Sequence, residues 1–219
     1  MSFSNYYQKE IERYGGTKKY ILAKANEKEP LLSRVIKYSN NGTILEAGSG
    51  SSSNSIHLAN EGHNVISIDV DPKILTLAKN LSESFKNKPR FLKKEISKFH
   101  EKCSVVFSHG VLEHFEDKEI INLINKELEI GRYTIFSIPS DFFRQNQAIN
   151  GDERFMSRKK WRSLISKTDG TIVEEFSYFY DPDNIKLKIL KFIFKITKGI
   201  LPIKKPYIGF VVRKNVHYS

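Results

Sequence analysis

Apolar residues in this chain fall into short runs, apolar at successive positions, that occupy Thr43–Ala47, Asn64–Val70, Arg90–Glu95, Ser104–Ser108 and Tyr133–Ile138 and predict strands. Between them Ser53–Glu61, Pro72–Phe85 and Lys118–Glu129 read as helices. Strands that alternate with helices of about ten to fifteen residues predict βαβ units. The run Val105-Val106-Phe107 is apolar on both faces, as in a parallel sheet covered by helices on each side. Upstream, 5–14 and 17–39 read as helical, with Pro30 opening a fresh helix before the turn Asn40-Asn41-Gly42. The last third changes character. Ser157–Lys167 reads as a helix with Ser157 as its N-cap, Glu174–Tyr180 and Tyr207–Arg213 as strands, and Ile185–Lys198 as a helix between them. Antiparallel pairing of those two strands at the edge would complete a seven-stranded sheet. The predicted fold is α/β and doubly wound, with a mostly parallel sheet and helices on both faces. One domain over 1–219 is expected, with 1–39 as a helical cap and 140–156 as a lid loop.

The segment after the first strand carries the most chemistry. Leu45-Glu46-Ala47-Gly48-Ser49-Gly50 runs from an apolar strand through a Gly-x-Gly turn toward a helix. Gly48 allows a tight turn, and Gly50 lacks the Cβ that would block a ligand. Asp69, nineteen residues after Gly50, ends the next strand, and its carboxylate can accept hydrogen bonds from both hydroxyls of a ribose. A nucleoside-bearing cofactor is the expectation. A dinucleotide favours a third glycine where Ser53 stands. Glu46, just before the first glycine, suits the cation of S-adenosylmethionine (SAM), the lesser alternative being that it caps loop amides or pairs with a lysine.

Composition narrows the class. Apolar residues make up 39% and charged residues 28% of the 219, and no apolar stretch approaches the ~18–20 residues of a transmembrane helix. The N-terminus lacks the pattern of a secretory signal, and a cytoplasmic location is expected. The lone Cys103 reads as a buried strand residue; no His, Asp or Glu cluster has metal spacing, and no metal is predicted. Net charge is +11, which can attract nucleic acid, anionic lipid or acidic substrates. Lys188, Lys191, Lys195 and Lys198 form one stripe on Ile185–Lys198, either a solvated face or a peripheral membrane contact.

Thr43 to Pro139 resembles the class I SAM-dependent methyltransferase family. Leu45–Gly50 is similar to its first motif, Ile68-Asp69-Val70-Asp71 to its second, and Val105–Phe115, with Val111-Leu112-Glu113-His114, to its fourth-strand segment. The resemblance implies a Rossmann-like fold, SAM as cofactor and S-adenosylhomocysteine (SAH) as product. It implies that Glu46, Gly48 and Gly50 line the methionine part, that Asp69 holds the ribose with Val70 against the adenine, and that Glu95 and Ile96 face the adenine. Ser108, His109 and Gly110 are to pass near the methionine moiety. The serine run Ser51–Ser53 departs from the more usual small or glycine residues.

Methyl transfer from a sulfonium needs alignment, and a base only where the nucleophile must lose a proton. His109 and His114 are the candidate bases, His114 alternatively holding the loop, and Glu113 reads as a cap. Phe142, Phe143, Arg144 and Arg154 are the candidate substrate-binding residues, on a loop of about seventeen residues. Arg154 can grip a carboxylate, or the lid can be ordered by a Glu153–Arg154 or Asp152–Arg158 ion pair. Tyr6 and Tyr7, on the first helix, can contact the cofactor or simply pack. The expected function is methylation of an oxygen or nitrogen of a small molecule. The alternatives are an RNA methyltransferase, made less favoured by the missing base-flipping motif, and a nucleotide- or NAD-binding protein without methyl transfer.

Overall fold

A computed structural model of the chain describes residues 3–143, 151–179 and 205–215. Three helices, α1 (Phe3–Arg13), α2 (Thr17–Glu27) and α3 (Glu29–Ser39), precede the sheet. Pro30 stands in the first turn of α3, where its missing N–H costs nothing, as the sequence predicts. The body then runs β1 (Ile44–Ala47), α4 (Ser53–Asn60), β2 (Val65–Asp69), α5 (Pro72–Ser82), β3 (Arg90–Lys93), β4 (Cys103–His109), α6 (Asp117–Ile130), β5 (Gly131–Pro139), α7 (Arg158–Ile165), β6 (Gly170–Tyr178) and β7 (Tyr207–Lys214). Asp71 caps α5 by accepting from the amides of Lys73 and Ile74, and Ser157 caps α7 by accepting from Lys160.

The strands form one seven-stranded sheet in the order β3-β2-β1-β4-β5-β7-β6. The first five are parallel, and β7 lies antiparallel to both β5 and β6, so the sheet is mixed. Order reverses between β1 and β4, which opens a crevice at their carboxyl ends where such sheets bind ligands. The boundaries differ from the predicted ones in two useful places. β3 stops at Lys93, because the chain turns into a short 3₁₀ segment at Ile96–Lys98, so Glu95 is not a strand residue. β6 begins at Gly170 rather than Glu174, because alternation there is only partial and pairing with β7 supplies the strand. The predicted helix Ile185–Lys198 lies outside the described residues.

Both faces are covered. On one, Leu31, Leu32 and Val35 of α3 and Leu58 of α4 pack on Ile44, Val105, Phe107, Ile135 and Val211. On the other, Ile120, Ile124 and Leu128 of α6 and Trp161, Leu164 and Ile165 of α7 pack on Phe136, Phe210 and Val212. Trp161 is 0% exposed, and its ring lies 5.7 Å from that of Phe136. Trp161→Ala should therefore cost about 3–5 kcal/mol, read from urea unfolding with an unchanged slope. A cost below about 1 kcal/mol would mean that α7 does not anchor that layer.

Candidate active site

The loop from β1 to α4 is tied to the end of β2. Gly48, Gly50 and Ser52 all have positive φ, at 64°, 53° and 55°. The amide of Gly50 donates to Asp69 Oδ2 at 2.9 Å, and the amide of Asp71 donates to Asp69 Oδ1 at 3.0 Å. A second tie runs from the Ser49 amide to the Ile68 carbonyl at 3.1 Å. Ser52 is in the left-handed region without being glycine. Its hydroxyl bonds Ser49 Oγ at 3.0 Å and Ser67 Oγ at 2.8 Å, which holds it there. The serine run is thus a buried hydrogen-bonding unit, with Ser51 Oγ 2.9 Å from the Tyr20 hydroxyl.

Glu46 is buried at the start of α4. It accepts from Asn54 Nδ2 at 2.7 Å, the Ser55 amide at 3.1 Å and Ser55 Oγ at 2.5 Å. Burial pushes its carboxyl above the usual range, against those bonds and the nearby Lys28. Lys28 Nζ in turn donates to Asn54 Oδ1 at 3.3 Å. Glu46 therefore orients the helix start, the capping role the sequence left open.

The first helix closes this loop from above. A Cβ on Gly50 would stand 2.5 Å from the Tyr7 hydroxyl, and one on Gly48 would stand 2.7 Å from Val111 Cγ2. Side chains of α1 and of the loop after β4 thus approach both glycines. The Ser51 amide bonds the Tyr7 oxygen, and burial pushes the Tyr7 phenol up to about 12.

At the end of β4, His109 Nδ1 lies 2.8 Å from Ser137 Oγ and 3.3 Å from the Tyr178 hydroxyl, while Ser137 Oγ lies 2.9 Å from that hydroxyl. Desolvation holds His109 well below its ordinary pKa, so it is neutral. Ser108 Oγ, one residue earlier, is buried and has no hydrogen-bond partner among the described residues. The Tyr207 ring lies 5.6 Å from those of both His109 and Tyr178 and 5.8 Å from Phe143. Phe143 in turn lies 5.5 Å from Phe142 and from Phe155, so the lid joins this aromatic wall.

The lid is ordered differently from the expected ion pairs. Arg154 turns toward the start of α6, donating to the Phe115 carbonyl at 2.5 Å and to Asp117 at 2.6 Å. Arg158 pairs with Glu175 at 2.8 Å instead of with Asp152. His114 Nδ1 meets Asp152 Oδ1 at 2.9 Å, and Glu153 accepts from the Gly151 amide at 3.1 Å. Possible ligand atoms of His114, Asp152 and Glu153 lie within 4.8 Å of one another, a proximity hidden from sequence spacing. Glu113, only 3% exposed, has its carboxyl pushed up to about 8 by burial, and then by Glu153 and Asp152.

The structure brings Glu46, Gly48, Gly50, Asp69, Ser108 and His109 to the carboxyl ends of β1, β2 and β4. Val70 is 58% exposed beside Asp69, and Ile96 is partly buried. Glu95 is exposed and turned toward Lys98 at 3.2 Å. Arg144 lies outside the described residues. Ser137 and Tyr178 were not foreseen. They carry no local signal, and only the strand order places them beside His109.

Residues 44–129 match the sequence family described as methyltransferase domain. The match runs from β1 to α6 and marks a similarity over less than half of the chain. No curated protein matches the chain in sequence. Among solved structures, magnesium protoporphyrin IX methyltransferase from Synechocystis, with bound SAH, is similar at a TM-score of 0.64 and 14% identity over 90% of this chain and 87% of that one. The 1,6-didemethyltoxoflavin-N1-methyltransferase of Burkholderia thailandensis gives 0.63 and 12% over 98% and 87%. A Haloferax volcanii methyltransferase in complex with its Trm112 activator gives 0.66 and 12% over 90% and 93%. The matched residues include the Gly50–Asp69 tie and Glu113. Among the described residues no helix is long and apolar enough to cross a membrane.

Glu113 gives the domain a stability signature in pH. Its carboxyl is protonated in the fold up to about 8 and ionises from 4.5 when unfolded. Raising the pH through that window therefore removes stability, at up to about 1.4 kcal/mol per pH unit for this one group. Glu113→Gln should flatten the decline between pH 5 and 8 in denaturant titrations. Parallel wild-type and variant curves would contradict a buried, protonated Glu113.

Proposed function

We propose that this chain transfers a methyl group from SAM to an oxygen or nitrogen of a small molecule. The observation that carries the reading is the carboxylate of Asp69. Each of its oxygens accepts one backbone amide, from Gly50 or Asp71, and keeps a lone pair for a ribose hydroxyl. The residues present fit the rest of the group. An exposed Val70 beside Asp69 offers an apolar surface for an adenine, and Ser108 Oγ offers an unused polar atom near the methionine chain. The positive-φ turn at Gly48 and Gly50 aims loop amides at a carboxylate.

When bound, SAM supplies an electrophilic methyl on a sulfonium. The chain's own task is to align the acceptor with it and to exclude water, which can supply on the order of 7–11 kcal/mol. Tyr7 covers the loop from one side. Phe142, Phe143, Phe155 and Tyr207 form the aromatic wall against which a small acceptor would pack. His109, neutral and hydrogen-bonded to Ser137, would orient the acceptor or receive its proton. His114, paired with Asp152, would hold the lid to the loop after β4.

Calorimetry tests the donor site. Asp69→Ala should weaken SAM binding at least tenfold in a protein with an unchanged circular dichroism spectrum. His114→Ala should leave SAM affinity within about twofold. Unchanged affinity in the first variant, or lost affinity in a folded second one, would contradict the assignment.

A further inference from the structure

Glu113 follows the end of β4, and its side chain is buried with Oε2 lacking a hydrogen-bond partner among the described residues. Its backbone hydrogen bond comes from its own amide. The carboxyl faces the turn at Gly110, where a Cβ would stand 3.5 Å from Glu113 Oε1. Val111, beside that turn, packs on Gly48 of the donor loop. Glu113 feels the charges of Glu153 and Asp152 on the lid side, and the Tyr178 hydroxyl feels the charge of Glu113 on the other. The carboxyl is therefore within electrostatic reach of both the lid acids and Tyr178.

A buried polar atom left without a partner calls for one, whether a water, an ion or a bound group. Charge says which kind. The chain is strongly basic at +11, yet this wall is acidic, and Arg154 points away from it to Asp117. An anionic acceptor would meet three carboxyl groups here. A cation would meet the carboxylates of Asp152 and Glu153 and a Glu113 that its charge helps to ionise, with the aromatic wall of Phe143, Phe155 and Tyr207 to carry a ring or face a cation.

Resting on the methyltransferase reading above, we propose that the acceptor is a ring-bearing basic amine, and that Glu113 binds its nitrogen and accepts its proton. The ammonium N–H proton passes to the Glu113 carboxylate. The freed lone pair forms the N–C bond to the methyl as the C–S bond breaks, and sulfur keeps that electron pair, leaving SAH and a methylammonium. In the empty site burial keeps Glu113 protonated near neutral pH; the arriving ammonium favours the ionised carboxyl, so that proton leaves to solvent on binding, before the transfer above.

The test is calorimetry on SAH-loaded protein with two matched pairs of probes, phenethylamine against 2-phenylethanol and tryptamine against tryptophol. Each amine should bind at least tenfold tighter than its alcohol. Glu113→Gln should bring the ratio below twofold with SAH affinity unchanged, and Glu113→Asp, which keeps a carboxyl, should retain at least a threefold preference. Alcohols bound as tightly as amines, no binding of either, or an amine preference that survives in Glu113→Gln would overturn the proposal. Loss of SAH binding in Glu113→Gln would also overturn it, by making Glu113 part of the donor site. A wild-type protein that fails to bind SAH overturns the donor assignment itself, and is seen before any amine is added.

Discussion

The hydrogen bond from the Gly50 amide to the Asp69 carboxylate is the constraint on which the site depends. It joins the loop after β1 to the tip of β2 across the crevice where strand order reverses. The loop takes positive φ at Gly48, Gly50 and Ser52, conformations that a chain keeps only when its surroundings over-determine them. The serine hydroxyls below and Tyr7 above supply that determination. The same bond leaves Asp69 pointing outward with capacity on both oxygens, so one interaction shapes the loop and presents the acid.

The two halves of the site differ in how completely they are satisfied. Around the loop after β1, Glu46, Ser51, Ser52 and Asn54 bond within the protein, so that loop is preformed. At the end of β4 and in the turn after it, Ser108 Oγ and Glu113 Oε2 are left unbonded among the described residues.

Most of the framework was legible because it rests on local patterns. The apolar runs located β1, β2, β4 and β5, and the capping residue Ser157 marked a real helix start. The Gly-x-Gly turn with Asp69 was readable because both ends lie close in sequence to their strands. Three things were not legible, each for a physical reason. β6 is a strand through its pairing with β7, which a local pattern cannot register. Glu95 continues the pattern of a strand that in the fold ends at Lys93, before the chain bends into the 3₁₀ turn. Arg154 was read by its type, but its partners, Phe115 and Asp117, approach from another element. The Ser137–Tyr178–His109 set is likewise assembled only by the insertion of β7 between β5 and β6.

A crystal structure of the SAH complex tests the central claim most directly. The account predicts both ribose hydroxyls within hydrogen-bond distance of Asp69, with the Gly50–Asp69 bond intact and the homocysteine chain over Gly48. Nucleoside density elsewhere, or an Asp69 turned away from the sugar with the crevice filled by side chains, would contradict it.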